Sequence, residues 1–126
     1  LHTVGAAKTI DRIVDMFPSE QQQQVRTQLS TVCEGVVSQQ LIKTIDGRKR
    51  VAALEVMVAN PAIRNLIREN KTYQIQNIIQ TGSKQGMQSM DQELVNLYRR
   101  GLISRDSVLS RCTDYEFTSR LVGERY

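Results

Sequence analysis

The sequence predicts an α/β fold, a short sheet with helices followed by a C-terminal helical region, on three observations. Apolar residues recur at helical spacing from Ala6 to Phe17 and again through most of the chain after Pro61. A short, nearly continuous apolar run, RVAALEVMVA from Arg50 to Ala59, ends abruptly at Asn60-Pro61. The dipeptide Asp46-Gly47 just before that run is a hairpin signal.

Taken in order, Ala6, Ala7, Ile10, Ile13, Val14 and Phe17 keep the helical period until Pro18 stops it, which predicts a first helix. Ser19 with Gln22 three residues on reads as a capping box for a second helix. That helix carries Val25, Leu29, Val32 and Cys33 on its apolar face and ends near Gly35. Val37, Leu41 and Ile45, interleaved with Gln39 and Lys43, then read as one face of a strand over Val36 to Ile45, although its start could continue the helix. Arg50 to Ala59 is the returning strand, and its apolar density implies burial on both faces. Beyond Pro61 the pattern is helical at Ile63 to Glu69, Tyr73 to Gln80, Gln92 to Arg99 and Ser104 to Cys112, punctuated by Gly82, Gly86 and Gly101.

At 126 residues the chain can bury a core without disulfides or a metal. Seventeen Lys and Arg against thirteen Asp and Glu give a net charge of +4, well short of a dedicated polyanion binder. Aromatic residues are only 5% of the chain and Trp is absent, so stacking platforms for single-stranded nucleic acid are scarce. Nucleic-acid binding is therefore the weaker reading. Cys33 and Cys112 lack metal-ligand spacing and are expected as reduced core thiols. No apolar run approaches the roughly 18 residues of a membrane span. The chain opens on Leu1 and LHT without a signal-peptide pattern, which carries the expectation of a fragment of a longer polypeptide.

Chemistry-bearing motifs are sparse. The sequence has no Gly-x-x-x-x-Gly-Lys-Ser/Thr loop, no Gly-x-Gly-x-x-Gly and no His-Glu-x-x-His, and its one histidine is His2. Without a second histidine the serines, cysteines and carboxylates assemble no recognisable nucleophile and base. PAIRNLIREN, Pro61 to Asn70, stands out instead. As a helix it gathers Ala62, Ile63, Leu66 and Ile67 on one side, while Arg64 and Arg68 stand four apart. Such a like-charge pair costs about 0.2 to 0.5 kcal/mol unless a partner sits nearby. Either both arginines only solvate an outer face, or they bond a neighbouring element or subunit.

LHTVGAAKTIDRIVDMFP, VVSQQLI, RVAALEVMVANPAIRNLIREN, IIQTGSKQGMQSMD and GLISRD, in this order, resemble the C-terminal part of the type IV pilus twitching-motility, or retraction, ATPases. The resemblance covers roughly Leu1 to Arg105. It implies a C-terminal fragment of a RecA-like P-loop ATPase domain, with 1–60 as the latter part of the RecA-like core and 61–126 as the helical region. The parent that it implies is a cytoplasmic homo-hexamer at the inner-membrane pilus base, using ATP and Mg²⁺ and engaging a pilus platform protein. His2, Thr3 and Arg12 match the family's histidine box, near the nucleotide. Ala62, Ile63, Arg64, Asn65, Leu66, Ile67, Arg68 and Glu69 match its retraction motif at every position. The phosphate loop and acidic metal ligands lie upstream in that family, so this chain alone is expected to be inactive. Leu54 and Asn60 depart from the family's usual His and Thr, and CTDYEFTSRLVGERY from Cys112 onward has no counterpart. A related extension or secretion ATPase, or a non-enzymatic basic helical module binding nucleic acid or an acidic protein, are the competing readings.

Overall fold

A computed structural model describes residues 5–123; His2 and Thr3 of the expected histidine box lie outside the described residues. The chain forms α1 (Ala6–Asp15), α2 (Ser19–Val32), β1 (Gly35–Lys43), β2 (Arg50–Val58), α3 (Pro61–Arg68), α4 (Ile75–Thr81), α5 (Met90–Arg99), α6 (Arg105–Arg111) and α7 (Tyr115–Leu121). Short 3-10 turns at Thr72–Gln74 and Ser83–Gln85 precede α4 and follow it. The α/β expectation holds, with β1 and β2 as a two-stranded sheet.

Two compact units share that hairpin. The first comprises Leu1–Ser38 and Glu55–Gln88, the second Gln39–Leu54 and Ser89–Tyr126. Each has its own apolar core. Ile10, Met57, Ile63, Ile67, Ile75 and Ile79 centre the first; Ile42, Leu94, Leu97, Ile103 and Val108 centre the second.

Several expectations about the elements need correction. Pro18, already extended at φ −58° and ψ 148°, takes the N-cap of α2, so Ser19 is the first helical residue and caps nothing. Gln22 instead donates to the Phe17 carbonyl at 3.0 Å. The capping box of this chain is at α5, where the Ser89 hydroxyl accepts from Gln92 N–H at 3.1 Å and the Gln92 side chain accepts from Ser89 N–H at 3.4 Å. Gly35 opens β1 rather than closing α2. A Cβ there would stand 2.7 Å from the Met57 carbonyl oxygen, so only glycine lets the two strands approach at this point.

The hairpin turns through six residues, Thr44 to Lys49, rather than two. Asp46 Oδ1 accepts from the Thr44 hydroxyl at 2.6 Å and from Arg48 N–H at 3.0 Å, bonds that hold its carboxyl below the usual carboxylate range, the hydroxyl contributing most. Nor is β2 buried on both faces. Ala53, Glu55 and Met57 point inward, while Val58 on the opposite face stays exposed. In β1 the inward residues are Ser38, Gln40 and Ile42, and the expected apolar set Val37, Leu41 and Ile45 is exposed. The hairpin thus buries Ser38, Gln40 and Glu55 beside Ile42, Ala53 and Met57, and the partner of Glu55 explains its place there.

Inside the first unit, Glu55 is 1% exposed and its Oε1 accepts from Ala6 N–H at 2.7 Å, capping the start of α1, which has no cap of its own. Gly5, at φ 100°, takes a backbone conformation that other residues rarely adopt. In the second unit, α7 is fastened by Asp91 of α5, itself 1% exposed. Asp91 accepts from Thr113 N–H and Asp114 N–H, each at 2.8 Å, and from the hydroxyls of Thr113 and Thr118 at 3.1 Å. Both cysteines are free thiols, half-buried rather than core. Burial first, then the Asp91 charge, pushes the Cys112 thiol up from its ordinary pKa.

Candidate functional site around helix α3

Helix α3 is specified at both ends by its own sequence. Asn60 is the N-cap, its Oδ1 accepting from Ile63 N–H at 2.8 Å, and Pro61 supplies a first helical residue with no N–H to orphan. Asn60 also donates through Nδ2 to Gln85 Oε1 at 2.8 Å, tying the cap to the turn after α4. At the far end Asn70 takes the left-handed conformation, φ 60°. Lys71 N–H then reaches back to the Leu66 carbonyl at 2.8 Å and Asn70 N–H to that of Ile67 at 3.2 Å, the Schellman pattern.

Within that frame the eight motif residues divide into three roles. Ile63 and Ile67 are fully buried in the first unit's core, and Leu66 packs against it half-buried. Ala62, expected among the locking residues, is exposed instead, because a helix this short shows the core only a narrow stripe. Arg64 turns back onto α2. Its Nη1 donates to the carbonyls of Ser30 at 2.9 Å and Thr31 at 3.0 Å, and Nη2 lies 3.5 Å from Glu34 Oε2. Those carbonyls belong to the last turn of α2, which has no intrahelical donors for them. Arg64 therefore bonds a neighbouring element, as one of the two sequence readings required.

Arg68 behaves differently. It is exposed, and its Nη1 donates to Asn65 Oδ1 at 2.6 Å one turn back. Its backbone carbonyl accepts from Gln23 Nε2 of α2 at 2.9 Å. Ala62, Asn65, Arg68 and Glu69 form the outward row, with the Arg68 guanidinium steadied by Asn65 but not consumed by it.

Of the expected nucleotide-proximal residues only Arg12 is described; it is exposed in the last turn of α1. Its neighbour Asp11 accepts from the Thr72 hydroxyl at 2.7 Å, pinning α1 to the turn that precedes α4. Among the described residues no cluster of three or more His, Cys, Asp or Glu could hold a metal ion. Sequence reasoning missed Glu55, Asp91 and Asn60 as organisers. Of these only Asn60 had a readable signal, an Asx residue before Pro and an apolar stripe.

No family model matches the chain. It is 53% identical over 119 residues to a twitching motility protein of Neisseria gonorrhoeae, covering 94% of this chain and 32% of that protein. It is 55% identical over 107 residues to the type IV pilus retraction ATPase PilT of Pseudomonas aeruginosa, covering 85% and 31%. Among solved structures, a crystal structure of the pilus retraction motor PilT with bound ADP superposes with a TM-score of 0.82 at 44% identity, over 95% of this chain and 33% of that one. The chain thus spans about a third of the length of the relatives it matches.

Proposed function

We propose, from the premise that this chain is a homologue of the type IV pilus retraction ATPases, that it is the part of such a motor that follows the phosphate-binding core and couples hydrolysis to pilus retraction. In this reading the whole protein hydrolyses ATP with Mg²⁺ as a homo-hexamer at the cytoplasmic face of the inner membrane, against a pilus platform protein. Its upstream segments supply the phosphate loop and the metal ligands. His2, Thr3 and Arg12 lie near the nucleotide, and the isolated chain does not turn ATP over, since the phosphate loop and the metal ligands of the catalytic site are not in it.

The observation that carries the reading is the division of labour on α3. Buried Ile63 and Ile67 fix the helix, Arg64 ties it to α2, and the outward row Ala62, Asn65, Arg68 and Glu69 remains available to a partner. A planar guanidinium held by an amide is prepared for a carboxylate or carbonyl on a neighbouring surface, because little rotamer entropy is left to lose. The test is an Asn65→Ala, Arg68→Ala double substitution in the full-length protein, read by twitching and by ATP turnover. Loss of twitching with turnover retained is expected; normal twitching overturns the reading.

A further inference from the structure

Beyond the retraction reading, and independent of it, we infer that the second unit carries a binding site for a phosphate-bearing small anion where the hairpin tip meets α6. A concavity of about 350 Å³ there is lined by Lys43, Arg50, Ser107, Ser110 and Arg111, with Leu41 and Ile42 on its apolar side. No carboxylate contributes to its lining.

The charges are placed against their own interest. Lys43 ends β1 and Arg50 begins β2. The Thr44 N–H to Lys49 carbonyl bond of 3.0 Å sets the register that puts Lys43 opposite Arg50. Like charges directly opposite in a strand pair are destabilising. Ion pairs among the described residues include Arg64 with Glu34 and Lys71 with Glu69, and Lys43, Arg50 and Arg111 have no described carboxylate within 4.0 Å.

Helix α6 supplies the third cation and two hydroxyls from one face, Ser107, Ser110 and Arg111 being three and four residues apart. Arg111 is not left to wander. Its Nη1 donates to Gln40 Oε1 at 3.4 Å, and the Gln40 amide donates back to the Arg111 carbonyl at 3.4 Å. Gln40 points inward at 9% exposure, so the frame that aims the guanidinium belongs to the folded strand. Ser107 Oγ accepts from Ser104 Oγ at 3.1 Å and keeps its own proton to donate.

Ser110 Oγ spends its proton on the Ser107 carbonyl at 3.2 Å, so three cations and the Ser107 hydroxyl form the donor set offered to a phosphate dianion. The volume sits at the low end of small-molecule sites and exceeds one phosphate, and the half-exposed Leu41 offers an apolar wall to the rest of the molecule. The ligand is therefore a phosphate ester, whether a soluble metabolite or a lipid headgroup.

The test is to titrate the chain with inorganic phosphate and with glycerol 3-phosphate at constant ionic strength, following the backbone amides of Lys43, Arg50, Ser107 and Arg111 by NMR. Saturable shifts are expected, tighter for the ester, and weakened at least tenfold in a Lys43→Gln, Arg111→Gln double variant. The Lys43→Gln single variant should melt no lower than the parent without ligand, since it removes the repulsion across the strand pair. Cosedimentation with phosphatidylcholine vesicles, with and without phosphatidylglycerol, separates the sources. Capture that needs both the anionic lipid and the two cations assigns a headgroup, and ester shifts without capture assign a soluble ester. Shifts no larger than those in isoionic chloride, or undiminished in the double variant, overturn the inference.

Discussion

Arg64→Ala should destabilise the first unit, because it uncaps α2. Arg64 supplies Nη1 to two carbonyls of the last turn of α2, at 2.9 and 3.0 Å. Ser30 is fully buried, so truncation leaves its carbonyl short of a donor, whereas the exposed Thr31 carbonyl recruits water. A hydrogen bond from a charged donor contributes about 1.5 to 3 kcal/mol, and we count one such bond as lost outright. The Glu34 contact adds little, since that carboxylate is 86% exposed and surface pairs contribute about 0 to 1 kcal/mol. The net expectation is about 2 kcal/mol. At this chain length that corresponds to a fall in melting temperature of about 8 °C, at about 4 °C per kcal/mol.

Denaturant titration of Arg64→Ala, Arg64→Lys and Arg68→Ala is the assay. Lysine keeps the charge near the helix terminus but not the fork, so it should recover part of the loss. Arg68→Ala should change stability by less than about 0.5 kcal/mol, because its side chain bonds only an exposed neighbour. An Arg64→Ala variant as stable as the Arg68→Ala variant would refute the capping argument, and with it the separation of the two arginines.

The remaining expectations concern groups that the sequence pattern does not advertise. Glu55→Ala should cost about 2 kcal/mol by leaving the buried Ala6 N–H unpaired, and Glu55→Gln, which keeps an acceptor oxygen, should recover most of it in the same titration. Asp91→Ala removes four accepted bonds and should cost about 3 kcal/mol or more, with protease cleavage appearing first between Cys112 and Leu121; cleavage unchanged from the parent would count against the fastening. Because the Cys112 pKa is raised, its thiolate fraction near pH 8 falls below that of a free cysteine. Iodoacetamide should label it more slowly there than free cysteine and approach it only at more alkaline pH.

Periodicity made α1, α3 and α5 legible, since each buries a stripe at three- and four-residue spacing: Ile10 and Val14, Ile63 and Ile67, Leu94 and Leu97. The same rule failed on the hairpin. It reads Val37, Leu41 and Ile45 as one apolar face, yet they are exposed, and it gives no reason for a carboxylate at the buried Glu55. Glu55 is buried for the α1 N-terminus, 49 residues away in sequence, and no local pattern encodes such a partner. Helix α7 was missed for a related reason. Its inward residues Thr118 and Ser119 are polar, and Thr118 is satisfied by Asp91, 27 residues upstream. The capping box was assigned to Ser19 rather than Ser89 because the two motifs look alike, and only the extended Pro18 decides that the first goes unused.

That contrast bears on how the motif on α3 should be read. A string matched at eight consecutive positions invites a single role for all of it, but the geometry separates the eight by what each substitution removes. Ile67→Ala opens a cavity at a fully buried site, a change that costs about 2 to 5 kcal/mol, and half-buried Leu66 should cost less. Arg64 acts through the end of α2, so its loss disturbs folding as well as any partner contact and cannot by itself identify one. Asn65 and Arg68 are the pair whose removal leaves the core and the α2 tether in place. A defect seen only with them is therefore a defect of contact. A defect seen with Arg64 or Ile67 must first be corrected for stability, because a helix of eight residues that loses its packing loses its outward row as well.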